Sequence, residues 1–394
     1  MKTFKYQKIE DLVSRVKVGF VGPISNFYCT SNDGVPLIRT TDLDDINLDK
    51  LKFVTNEFHK KNRKSQVKPG DLIVARHGDN GAATIFDKNY EAQVLNAVII
   101  EPNPKKLSSY LLKIFLEIPF VIKQIKGSVK GSVQGVINTK HIAELLLPIC
   151  DNINYGGIEN LIYSIDKKIK INNLIIDELN STVKTLYDYW FVQFNFPGAL
   201  GKAYKDSGGR MVWNEKVKKE IPAEWDCFYL KDLLLVLTGK EDANFATENG
   251  NYPFFTCSEN ISYCDKYAFD GKAILLSGNG NFNIKLYEGK FNAYQRTYVL
   301  IPSNADHYTL VYHAVKNRIK SLSNGSRGSV IKFITKGDIE DITVILPKSG
   351  HKDLFHILNT LTKKIELTML QNQKLSHMRN WVLPMLMNGQ ITFK

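Results

Sequence analysis

Ile158, Ile162, Ile165, Ile169, Asn172, Ile176, Leu179, Val183, Leu186 and Trp190 recur at alternating steps of four and three residues. That spacing lays them along one seam of a long helix. A second series keeps the same rhythm: Leu354, Leu358, Leu361, Ile365, Thr368, Asn372, Leu375, Arg379, Val382 and Leu386. Two such seams in one chain predict helices that pair with each other, antiparallel, because each must lead back toward the other half. Asn172 and Thr368 put a polar residue on the seam, where it can fix register at some cost in stability; the alternative is that they face solvent. Arg379 breaks the second seam locally, with Met378 beside it to fill the gap.

Ahead of each seam the pattern changes to short β-rich runs: Asp71–Ala75 and Ala97–Glu101, then Ala273–Leu276 and Tyr298–Ile301. Helix-period stretches follow them at Leu107–Ile125 and His307–Ser321. The segments also resemble one another in order. "VPLIRTTDL" (Val35–Leu43) aligns with "YPFFTCSEN" (Tyr252–Asn260), and "PGDLIVARHGDNG" (Pro69–Gly81) with "DGKAILLSGNGNF" (Asp270–Phe282). "YEAQVLNAVIIEP" (Tyr90–Pro102) meets "FNAYQRTYVLIPS" (Phe291–Ser303) without a gap. Then come "GSVKGSVQGVI" (Gly127–Ile137) and "GSRGSVIKFI" (Gly325–Ile334), and "IAELLLP" (Ile142–Pro148) against "IEDITVILP" (Ile339–Pro347). The shared order marks a duplication.

The predicted fold is α+β: two pseudo-repeated α/β units separated by two long helices that pair as an antiparallel coiled coil. The boundaries are 1–150 for the first unit, 151–195 for the central helix, 196–221 for a Gly- and Lys-rich linker, 222–348 for the second unit and 349–394 for the C-terminal helix.

Composition narrows the partner class. A surplus of 52 Lys+Arg over 40 Asp+Glu, net +12, favours a polyanion, nucleic acid before an acidic membrane. Five cysteines without a CxxC pair argue against a disulfide framework or a structural zinc. The start "MKTFKYQKIEDL" has no signal-peptide core and no stretch approaches a spanning length, so a cytoplasmic chain is expected.

Catalytic constellations are missing from the pattern. There is no Asn/Asp-Pro-Pro-aromatic run, no GxxxxGK[ST] loop and no HExxH pair. "LSGNGNFN" (Leu276–Asn283) lacks the spacing of a dinucleotide fingerprint. Asp166 and Lys168 imitate part of a nuclease site, but they fall on the heptad helix without an arranged partner carboxylate, which reads as a solvated helix face. The chain is expected not to be an enzyme and to hold no metal.

DNA-reading chemistry is present in the loops after the β-rich runs: Arg39, Thr40, Thr41 and Asp42; Arg76, His77, Asp79 and Asn80; Thr256, Ser258 and Asn260; Ser277, Asn279 and Asn281. Arg grips guanine edges, Asn adenine, and Asp accepts from cytosine; ordinary turn chemistry would use the same residue types. The repeated Gly-Ser segment lets backbone approach a phosphate, with Ser132, Ser326 and Ser329 beside the charges of Lys126, Lys130, Arg327 and Lys332. Val133, Val136 and Ile137, like Val330, Phe333 and Ile334, would anchor it to a core. Helix pairing is expected to rest on Ile162, Ile165, Ile169, Asn172, Ile176 and Leu179 against Leu358, Leu361, Ile365, Thr368 and Leu375.

These pieces, together with "LYDYWFVQF" (Leu186–Phe194) and "IPAEW" ahead of "GNYPFFT", resemble the DNA-specificity subunit of type I restriction–modification systems over essentially the whole chain. The resemblance implies two target-recognition domains, each reading one half of a split, asymmetric DNA target, and helices that act as a ruler. It also implies docking of two methyltransferase (modification) subunits joined by restriction/translocase subunits. S-adenosylmethionine, ATP and Mg would then belong to those partners, with no cofactor in this chain. Ser277 and Gly278 stand where the alignment puts Arg76 and His77, so base contacts do not carry over between the copies. From Ile158 to Trp190, 33 residues give about 50 Å of helix, enough to serve segments about one DNA turn apart, roughly 34–36 Å. Two rivals remain: a coiled-coil scaffold that binds nucleic acid without sequence choice, and a nuclease built on Asp166 and Lys168.

Overall fold

The computed structural model describes residues 3–77, 81–130, 135–198, 201–248, 250–280, 282–325 and 333–392, with backbone alone at 129–130 and 322–325. Contacts divide the chain into two compact units, Met1–Ile169 with Lys374–Lys394, and Lys170–Gln373. The division cuts both long helices, so each unit holds a stretch of each.

The first unit opens with the strand Lys5–Lys8, which pairs antiparallel with Leu146–Ile149 near the end of the repeat. A four-residue helix, Ile9–Leu12, leads into the strand Val13–Val18. That strand edges a four-stranded sheet through Ala97–Pro102 and Leu72–Ala75 to Ala83–Ile85. A five-stranded sheet lies alongside, its strand Gly34–Ile38 running parallel to Ala92–Val94. Strands buried on both faces read as continuous apolar runs, and Leu72, Ile73, Val74, Val98, Ile99 and Ile100 are all buried. The helical stretch expected at 107–125 is two helices, Ser109–Glu117 and Pro119–Lys130. Pro119 forces Ile118 into extended backbone (φ −74°, ψ 145°) and ends the first of them.

The second unit repeats the plan. Trp225–Tyr229 pairs antiparallel with Thr343–Pro347, and the short helix Leu230–Leu233 leads into Leu234–Thr238. That strand edges a six-stranded sheet in which Tyr252–Phe255 runs parallel to Ile284–Ala293. The duplication therefore reaches further than the sequence alignment did, taking in the opening strand and short helix of each copy. A glycine follows each unit's edge strand where no side chain fits: a Cβ on Gly19 would lie 2.5 Å from the Val94 carbonyl oxygen, and one on Gly239 2.0 Å from that of Ala293.

The segment expected as a linker is folded into the second unit. Phe196 is buried and stacks on Tyr204 and Trp225 at 4.7 and 5.0 Å, and Met211–Asn214 forms a hairpin with Lys219–Pro222. Its aromatic residues find partners in the core, which outweighs the turn-forming composition around them.

The long helices, Tyr155–Tyr187 and Lys352–Met387, pair antiparallel within each unit. In the first, Ile158 and Ile162 share a core with Leu383, Leu386 and Met387, and Asp166 meets Arg379. In the second, Asn172 lies against Gln371 and Asn372, while Phe191 reaches Phe355 at 6.2 Å. Ile165, Ile176, Leu358 and Ile365 are buried; Ile169, Leu179, Leu361 and Leu375 are half-buried. The polar seam residues face inward, not to solvent. Asn172 donates to Gln371 Oε1 at 2.9 Å and to Asn372 Oδ1 at 2.7 Å, whereas buried Thr368 returns its hydroxyl to Lys364 of its own helix.

Arg379 does not spoil the seam; it is the centre of an ionic cluster. Its guanidinium donates to Asp166 at 2.6 and 3.1 Å and to Glu117 at 2.5 Å, Tyr110 donates to Asp166 at 2.5 Å, and Lys113 adds an ion pair with Glu117. Burial opposes the charge on Arg379, but the two carboxylates override it and raise its pKa. Burial, then the bond to Asp166, raises that of Tyr110. Met378, expected to fill the gap, points outward at 56% exposure. Asp166 is thus a structural partner of Arg379, not part of a solvated face.

Candidate nucleic-acid interface

The expected recognition loops of each unit converge on a tight turn that the sequence alignment passed over. In the first unit the loops at 39–42 and 76–77 follow the strands Gly34–Ile38 and Leu72–Ala75, and both flank Leu95 and Asn96. Leu95 N donates to Ile38 O at 2.8 Å and Asn96 N to Phe20 O at 2.9 Å; Ala97 then accepts from Gly19. In the second unit Tyr294 N donates to Phe255 O, Gln295 N to Glu241 O, and Thr297 accepts from Gly239. The bonds match one for one, leaving Arg296 as an extra residue. The gapless alignment of these segments is therefore off by two positions up to the turn and by one after it. The ends of the Gly-Ser segments shift the Pro69–Gly81 alignment by one position: Ile137 N donates to Arg76 O and Ile334 N to Gly278 O, so Arg76 corresponds to Gly278 and not to Ser277.

That exchange alters the site. Arg76 is partly buried, its Nε donating to Ile137 O at 2.9 Å and its Nη1 to Asn96 Oδ1 at 3.2 Å, and burial lowers its pKa. Arg39 forks onto Asp42 at 2.8 and 2.9 Å, with Thr41 at 3.5 Å and half-buried Thr40 between them. Both arginines proposed as readers in the first unit are engaged by the protein itself, while His77 and Lys126 are exposed.

In the second unit Gly278 puts no side chain in the corresponding place. A cavity of about 480 Å³ opens there, lined by Gly278, Asn279, Gln295, Arg296, Tyr298, Phe333 and Ile334. A Cβ on Gly278 would stand 2.7 Å from the Arg296 carbonyl oxygen, so no other residue fits without displacing the turn. Ser277 is buried behind it with its hydroxyl unpaired. The loop at 256–260 is tied to the rim: Lys285 donates to Ser258 O and Asn283 Oδ1, and Asn283 to Cys257 O. Burial lowers the pKa of Lys285. The Thr256 and Ser258 hydroxyls accept from the backbone N–H groups of Ser258 and Asn260, as turn residues do.

Of the Gly-Ser motif, Gly127 falls inside the helix Pro119–Lys130 and not in a loop. Ile137 and Ile334 are buried as expected, but Phe333, expected as a core anchor, is 67% exposed on the cavity rim. Asp79, Asn80, Ser132, Asn281, Ser326, Arg327, Ser329 and Lys332, with Val133 and Val330, lie outside the described residues, as does the Lys130 side chain. Gln295 and Arg296 were missed. Their signal was a polar pair interrupting a β-rich run, which the gapless alignment absorbed into a strand.

A further surface lies on the helix pair of the second unit. Ile171, Leu174, Ile175, Leu367 and Leu370 are exposed large apolar side chains on its two helices. Among those residues no helix is long and apolar enough to cross a membrane, and all five cysteines are free.

Comparison with known proteins places this arrangement. Residues 222–377 match the type I restriction modification DNA specificity domain. The chain resembles that domain over those residues. It is 43% identical over 178 residues to the EcoDI specificity subunit of Escherichia coli, covering 44% of this chain and 40% of that one. It is 23% identical over 393 residues to the putative MjaX specificity subunit of Methanocaldococcus jannaschii, covering 92% and 88%. The chain thus spans less than half of the EcoDI subunit in the first match and most of the MjaX subunit in the second. The crystal structure of the type I system S subunit from M. genitalium shares the fold, with a TM-score of 0.62 at 16% identity over 98% of this chain and 96% of that one.

Proposed function

We propose that this chain recognises a bipartite, asymmetric DNA sequence through its two α/β units and carries that specificity to the other subunits of a type I restriction–modification complex. The observation that carries the reading is the repeated convergence of strand-end loops on a pinned turn, with different side chains in each copy. A duplicated scaffold whose strand ends differ suits two different half-sites, because scaffold positions hold geometry while loop side chains meet base edges. The net charge of +12 supplies the non-specific attraction to phosphate on which such reading is built.

The exposed apolar side chains of Ile171, Leu174, Ile175, Leu367 and Leu370 support protein partners on the helix pair. Two methyltransferase subunits would dock there, with restriction/translocase subunits completing the assembly. S-adenosylmethionine, ATP and magnesium would be bound by those subunits, and this chain would do no catalysis of its own. The nuclease reading loses its support: Asp166 is held by Arg379 and Tyr110.

The test is selection from a randomised duplex DNA pool by the complex purified from its native host through a tag on this chain. Two conserved blocks separated by an unconserved spacer are expected, with orders-of-magnitude preference over random duplex. Retention of DNA without sequence enrichment would instead establish the non-specific scaffold.

A further inference from the structure

We infer that Arg296 is a base-reading residue of the second unit and that it selects a guanine within that unit's half-site, an assignment that rests on the DNA-recognition reading above. The first observation is position. Arg296 is the residue by which the second unit's turn exceeds the first's, and it stands at the rim of the cavity that Gly278 lines.

The second observation is rigidity without engagement. The turn is held on three sides: Gln295 N donates to Glu241 O at 2.9 Å, Gly278 N to Arg296 O at 2.8 Å, and Thr297 N to Tyr294 O at 2.7 Å. Yet the Arg296 guanidinium has no hydrogen bond or ion pair with any described residue, and the Gln295 and Asn279 side chains are equally free. A guanidinium on a pinned backbone loses little freedom on binding, and its planar fork matches the O6 and N7 acceptors of guanine.

The third observation is the company it keeps. Among the described residues no carboxylate lines the cavity to neutralise the arginine, and the exposed aromatic Phe333 lines it as well. Amide groups at Gln295 and Asn279 can address a neighbouring base, whereas a site for phosphate alone would need only charge. The first unit's turn has no counterpart of Arg296, and Arg76, which stands where the second unit has Gly278, is bonded inward to Ile137 and Asn96.

The tagged native complex is tested on the same randomised duplex pool, with Arg296→Ala and the charge-keeping Arg296→Lys beside the parent. Arg296→Ala is expected to abolish a guanine preference at one position of one block by about tenfold or more, leaving the other block, the spacer and the thermal unfolding midpoint unchanged. If Arg296→Ala weakens binding equally for all sequences and Arg296→Lys restores it, Arg296 contacts phosphate and the inference falls. Loss of preference for a base other than guanine overturns it too. A parent complex that enriches no sequence removes the recognition reading itself, an outcome separate from an unaltered block in the variant.

Discussion

Arg76 and Gly278 occupy one place in two copies of the same scaffold, and they leave opposite results there. In the first unit the arginine closes the strand end by bonding to Ile137 and Asn96. In the second the glycine puts no side chain there, and the turn beside it gains Arg296. Backbone pairing is conserved through this exchange: Ala75 faces Ala97 as Ser277 faces Thr297. Duplication kept the hydrogen-bonded frame and moved the cationic side chain from an internal strut to a free rim. The helix pair diverges likewise. The first unit holds its stretch with the charges of Arg379, Asp166 and Glu117, the second with the amides of Asn172, Gln371 and Asn372.

The largest expected effect breaks the ionic half of that contrast. Arg379→Met leaves Asp166 and Glu117 without their shared cation in a mostly buried place, at a cost of about 4 kcal/mol, read by urea unfolding. A loss confined to the first unit's protection from hydrogen exchange would separate the two stretches; an unchanged midpoint would show that the cluster contributes nothing.

A slightly smaller effect distinguishes the units by acid. His313, in the second unit, is buried against Tyr187 at 5.1 Å, and burial, then Lys316 and Lys184 against the opposing Asp188, pushes its pKa down to about 4. The folded state binds its proton less readily than the unfolded chain, so the stabilisation is present above pH 6.5 and is lost as pH falls toward 4. The loss should reach about 3 kcal/mol. His313→Phe, which keeps the ring stack, should flatten that slope; equal slopes in parent and variant would contradict it.

The pattern of apolar residues was sufficient for the seams and the order of the repeats, because period and burial are written in the same residues. Side-chain direction was not. Arg379 read as a fault in the seam, since sequence spacing does not reveal that Glu117 and Asp166 converge on it from two helices. Phe333 read as an anchor, though it borders a cavity that a glycine one strand away also lines. Arg296 was hidden for the same kind of reason: a one-residue difference in a turn leaves β-rich flanks that still align. Aromatic partners for Phe196 likewise turned an expected linker into part of a core.

The most direct measurement replaces residues 230–347 with a second copy of 9–148, so that both units carry the first unit's loops, and repeats the selection from random duplex DNA. Two blocks with the same base preferences are expected, the guanine assigned to Arg296 gone and the first unit's block present twice. Survival of the parent's second block in that chimera would contradict a division of recognition between the units.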